Sequence, residues 1–162
     1  MTTWSLNRRF VAVIPGFLRN FELVMKKKTR IYNSIERPAY TPDCITELKP
    51  DEVFVFGSNL AGMHGGGAAW VAFRQFGAVM GCGVGLRGQS YAIPTMQGGV
   101  ETIKPYVDDF IAFAGEHPEL FFFVTRIGCG IAGFRDKEIA PLFAGAVNLE
   151  NVCLPETFAK LL

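Results

Sequence analysis

Two short apolar runs set the frame for this chain, because each leads into a glycine loop and each loop opens onto a helical pattern. Val53-Phe54-Val55-Phe56 stops at Gly57, and Leu120-Phe121-Phe122-Phe123-Val124-Thr125 runs into Gly128-Cys129-Gly130-Ile131-Ala132-Gly133-Phe134. Apolar runs of this length without polar alternation are expected of strands buried on both faces, and such strands belong to mostly parallel sheets covered by helices.

The segments around them fit that frame. Ala68 to Phe76 places Ala69, Val71, Ala72, Phe73 and Phe76 at helical spacing, and Glu101 to Gly115 does the same with Ile103, Tyr106, Val107, Phe110, Ile111 and Ala114. Thr102 to Pro105 lead into this second helix. Ser90 to Pro94 reads as a short strand that Pro94 ends, Lys137 to Ala146 as a helix, and Asn151 to Leu154 as a last strand before Pro155. Strands alternating with helices predict a three-layer α/β/α sandwich around a mostly parallel, mixed sheet.

With 162 residues the chain is long enough for one sizeable core and too short for two ordinary domains. The domain is placed at residues 43–162. Residues 1–42 are read as an N-terminal extension and lead-in, irregular from Arg30 to Pro50, where Pro38, Pro42 and Pro50 interrupt polar sequence. Within the extension, Met25-Lys26-Lys27-Lys28 offers a second translation start. The apolar stretch from Phe10 to Leu18 is interrupted by Pro15 and Gly16 and has no cleavage site after it, so a secretory signal is not expected. No stretch reaches the roughly 20 apolar residues that span a bilayer. A net charge of +1 supplies no basic field for nucleic acid. Cys44, Cys82, Cys129 and Cys153 show neither C-x-x-C pairing nor a nearby histidine at zinc spacing. No metal or cofactor is called for, and reduced thiols in the cytoplasm are the expectation.

The chemistry is expected where the glycines are. Most of the 18 glycines lie between Gly57 and Gly99, and three more between Gly128 and Gly133. In an open α/β sheet, ligands bind beyond the carboxyl ends of the strands, which is where both strong loops fall. Gly65-Gly66-Gly67 opens a helix whose first N–H groups are unpaired and attract an anion, and Gly128, Gly130 and Gly133 offer similar backbone from the facing side. Together the two loops are suited to clamp one pyrophosphate. Gly81-Cys82-Gly83-Val84-Gly85 lacks the dinucleotide fingerprint and does not follow a clear strand.

At these residues the chain resembles the macro domains, a family that binds ADP-ribose and in several branches hydrolyses ADP-ribosyl bonds. Phe54 to Asn59 followed by Gly65-Gly66-Gly67-Ala68-Ala69 is similar to the family's strand, asparagine and G-G-G-x-A run. Gly130-Ile131-Ala132-Gly133-Phe134 is similar to its second loop, with Gly128 where serine is common. Asp43-Cys44-Ile45-Thr46 approximates its D-I-T element. The chain also resembles phage-associated and bacterial macro-like proteins without an established activity. The resemblance implies that Asp43 accepts from the adenine amino group, that Asn59 hydrogen-bonds the distal ribose, and that Phe134 packs on a ribose or the base. It implies too that the backbone of Gly66, Gly67, Gly130, Ile131, Ala132 and Gly133 holds the diphosphate, with Ser58, Gly65, Ala68, Gly128 and Cys129 as further ligand-binding residues. Ser58-Asn59 replaces the family's asparagine doublet, and His64 stands where a small residue often precedes the glycines.

Three readings follow. The chain binds ADP-ribose and removes it from an ADP-ribosylated substrate; or it is a reader without turnover; or it hydrolyses another phosphate-bearing nucleotide through the same loops. His64 is the candidate general base or phosphate contact, against an inert loop histidine. Cys82 and Cys129, each within Gly-Cys-Gly, are activated thiols or small residues in tight loops. Arg87 and Arg126 pair with phosphate or with surface carboxylates. Asp108 and Asp109 are adjacent on a helix and form no acid/base pair.

Overall fold

The computed structural model describes residues 29–162; the readings of Phe10 to Leu18 and of a start at Met25 lie outside it. Five strands form one sheet: β3 (Glu52–Ser58), β4 (Gly85–Arg87), β5 (Ser90–Pro94), β6 (Phe121–Val124) and β7 (Val152–Cys153), in the order β4-β5-β3-β6-β7. All neighbours are parallel except the edge pair β4 and β5. The α/β architecture with a mostly parallel mixed sheet is therefore as the sequence predicts.

Burial on both faces explains why the central strands lack polar alternation. From β3, Val53 and Val55 enter one core with Phe122 and Val124 of β6, while Phe54 and Phe56 enter another on the opposite face. The larger core is covered by α2 (Val100–Glu116), α3 (Asp136–Ile139), a 3-10 helix (Ala140–Ala146) and α4 (Glu156–Ala159). Phe110 of α2 sits at its centre, edge-on to Tyr91 and Phe122 at 5.1 and 5.4 Å. Such contacts each add about 0.5–1.5 kcal/mol to the burial itself.

The opposite face is shared. α1 (Gly67–Gln75) covers Phe54, Phe56 and Ala92, and the segment before β3 covers Phe121, Phe123 and Cys153 with Tyr32, Ile45 and Leu48. Part of that segment is a hairpin, β1 (Thr29–Tyr32) with β2 (Ile35–Pro38), where the sequence predicts irregular chain. Arg37 fastens it. Its buried guanidinium pairs with Asp51 and Glu52 and lies 4.6 Å from the centroid of the Phe121 ring.

Two helices differ from expectation. Pro105 sits inside α2, which starts at Val100. The helix expected over Lys137 to Ala146 is α-helical only to Ile139 and continues as 3-10, with Pro141 in the first turn of that segment. No helix among the described residues is long and apolar enough to cross a membrane.

Candidate functional site

The chain leaves β3 toward β5 through α1 on one face, and leaves β6 toward β7 through α3 and the 3-10 helix on the other. Where such connections diverge, a crevice opens beyond the strand ends. A cleft of about 400 Å³ occupies this place, lined by the β3–α1 loop, the residues after β5 and the β6–α3 loop.

Glycines supply much of the lining. Gly65, Gly66, Gly67 and Ala68 line one wall and Gly130, Ile131 and Ala132 the other. A side chain on Gly65 or Gly67 would meet nothing within 4 Å, so the space that the missing Cβ atoms leave belongs to the cleft. Gly67 has φ +58°, a value that favours glycine, and α1 begins with no side-chain cap on its first amides. Across from it, Gly133 N–H donates to Gly130 O at 3.0 Å, which curls the second loop so that the 130–132 backbone borders the cleft. Uncapped amides at a helix N-terminus carry partial positive charge and suit an anion.

The other expected residues divide. Ser58 and Asn59 line the cleft, yet both are engaged within the protein: Ser58 Oγ donates to Gly83 O, and the Asn59 side chain bonds Met63. Gly128 lines the cleft, but its φ of +72° and the 3.1 Å from its Cβ position to Ile139 Cδ1 give it a packing role as well. Asp43, Cys129, Gly133 and Phe134 are not in the lining. Asp43 is exposed on the lead-in, and Phe134 packs on the larger core while its N–H donates to Gly128 O at 2.9 Å.

His64 does not face the cleft. Its ring is fully buried, edge-on to Phe56 at 5.3 Å, and Nε2 is 3.0 Å from Val79 O, while its backbone N–H points at Met80 Sδ. The expectation of a general base beside the glycines is corrected by this burial: the histidine ties the β3–α1 loop to the loop before β4.

The surroundings of Cys129 disfavour its thiolate. Burial, then the hydrogen bond to Asp136, pushes its thiol up to about 12. Burial alone would raise the Asp136 carboxyl, but hydrogen bonds from Arg126 and Cys129 outweigh it and hold the group below the usual carboxylate range. Arg126 lines the cleft and donates from Nε and Nη2 to Asp136 at 2.9–3.0 Å, so the surface carboxylate is its partner. Arg87, on the edge strand, bonds its neighbour's carbonyl, Leu86 O.

Several lining residues escape a search for motifs: Met63, Thr95, Met96, Thr125 and Ile127. Thr95 and Thr125 had a usable signal, since each is the first residue after a parallel strand. Thr125 Oγ1 donates to Val55 O at 2.8 Å and Thr95 N–H to Ser58 O at 2.9 Å, which ties β5 and β6 to the end of β3. Among the described residues the lining contains one charged side chain, Arg126, and neither a carboxylate nor a histidine.

Compared with known proteins, the chain matches no family model, no curated protein and no solved structure.

Proposed function

We propose that the cleft binds the diphosphate of an ADP-ribose-like nucleotide and that the chain acts as a binding module. The observation that carries the reading is the uncapped start of α1 behind three glycines, with the Cβ positions of Gly65 and Gly67 empty, facing the 130–132 backbone across the cleft. That arrangement supports a phosphate; the resemblance to macro domains supports ADP-ribose as its bearer. The four free cysteines fit a reducing, cytoplasmic setting for such a protein.

Binding without turnover is favoured by the absence of a carboxylate or histidine among the described residues of the lining, since proton transfer to or from a bound ligand needs a group within hydrogen-bond reach. Calorimetric titration with ADP-ribose tests the reading. Heat of binding is expected, and Gly65→Val, which fills open space at an ordinary φ, should weaken it about tenfold or more with an unchanged melting temperature. No heat at millimolar ligand would overturn the proposal. Tighter binding of AMP or NAD than of ADP-ribose would instead favour a site for another nucleotide.

A further inference from the structure

Among the described residues, Arg126 carries the single charge in the cleft lining, and the chain fixes its backbone on both sides. Thr125 before it is tied to β3, with N–H and Oγ1 both donating to Val55 O, and Ile127 after it is buried in the larger core. The Arg126 carbonyl itself accepts from Cys129 N–H at 3.2 Å.

The side chain is gripped along one edge. Nε and Nη2 both donate to Asp136, in the side-on fork that a guanidinium makes with a carboxylate. Asp136 is in turn held by hydrogen bonds from the side chains of Cys129 and Thr157, so the fork is anchored in the β6–α3 loop and in α4. A guanidinium has five N–H groups, and this fork leaves the Nη1 edge unused. Among the described residues nothing accepts from Nη1, and 54% of the side chain is exposed.

We propose that the Nη1 edge of Arg126 binds a phosphate group of the cleft's ligand, with Asp136 as the positioning residue behind it. The inference rests on the reading of the cleft as a phosphate site and adds the group that sets its charge selectivity. The amides at a helix start carry only about half an elementary charge, whereas a diphosphate brings a negative charge on each phosphate. Arg126 supplies the one whole positive charge of the lining. The Asp136 carboxylate sits on the opposite edge, farther from an anion at Nη1 than the guanidinium is, so the pair attracts the anion although its net charge is zero. Holding the side chain in place beforehand also reduces the rotamer freedom lost on binding.

Calorimetric titration of the full chain with ADP-ribose and with inorganic pyrophosphate, each across a range of salt concentrations, tests this on wild type, Arg126→Gln and Arg126→Lys. Arg126→Gln should weaken both ligands about tenfold and make the remaining binding less sensitive to salt. Arg126→Lys keeps the charge without the fork and should fall between the two. If wild type binds ADP-ribose and Arg126→Gln binds it equally well, the assignment of Arg126 is overturned and the ADP-ribose reading stands. The same holds if Arg126→Gln loses affinity but keeps the salt dependence of wild type, which is the result a purely structural ion pair gives. A wild type that takes pyrophosphate and not ADP-ribose overturns the ADP-ribose reading, and the same variants then decide Arg126 on pyrophosphate. A wild type that binds neither overturns both.

Discussion

Asn59 holds the backbone of Met63 from both sides: its Nδ2 donates to Met63 O and its Oδ1 accepts from Met63 N–H, each at 2.9 Å. The amide that the resemblance assigns to a ribose thus closes the loop that leads to the glycines. Asn59→Ala removes both bonds from a half-buried position and should cost about 1–2 kcal/mol. Asn59→Asp keeps the acceptor and should lose less. Denaturant titration of the two variants measures the difference, and equal losses would mean that the accepted bond from Met63 N–H contributes nothing.

Burial makes His64 a stability residue. His64→Ala leaves a cavity against Phe56 and frees the Val79 carbonyl, a loss of about 2–4 kcal/mol. Ligand affinity should fall with it, because the loop that His64 anchors is the one that presents Gly65. A variant as stable as wild type that has lost only a chemical step would contradict the buried placement.

The thiols should react in an order set by their surroundings. Cys44 is exposed and Cys82 half-buried, whereas Cys129, with its pKa pushed up to about 12, is almost wholly protonated at pH 8. Cys129 should therefore resist iodoacetamide in the native state. Asp136→Asn removes one of the causes of that shift and should speed its labelling, which peptide mass spectrometry can follow.

Acid should act through Asp136. Its carboxyl titrates lower in the folded chain than in the unfolded one, so its contribution is complete above the unfolded value of 3.8 and is lost as pH falls through the folded value. Asp136→Asn is expected to flatten the acid limb of the stability profile below about pH 4. A limb that keeps its slope would assign the acid sensitivity to other carboxylates.

Truncating Arg37 should be costly. Arg37→Ala leaves Glu52 buried without its partner and uncovers the Phe121 ring, for a loss of about 3–5 kcal/mol. The double variant Arg37→Met with Glu52→Gln should lose less than Arg37→Ala alone. Thermal unfolding of the three proteins tests the ordering.

The central sheet is legible in the sequence because β3 and β6 are buried on both faces, and a strand in that position can hardly be anything but apolar. The hairpin is not legible. Its only fully buried side chain is an arginine, whose carboxylate partners stand 14 and 15 residues further on, and no local pattern encodes that pairing. The cleft divides in the same way. Glycines after strands are visible as letters, so both walls can be placed. The His64 ring is held by Val79 O and its backbone N–H by Met80 Sδ, residues that the sequence holds 15 and 16 positions away. The loop 81–85 likewise lacks a fingerprint because its glycines serve close packing: Gly83 has room only for a hydrogen beneath Asn59.

A pocket with so much glycine in its lining has a lasting consequence for how its selectivity can change over generations. Substitutions alter side chains, and the amides at Gly66 to Ala68 and Gly130 to Ala132 are supplied by whatever residues keep the loops in shape. An anion cradle of the kind proposed above would therefore be inherited together with the fold. Met63, Met96 and Ile131, exposed at 64, 50 and 78% around the cleft, carry the side chains through which substitution would reshape the proposed ligand's surroundings.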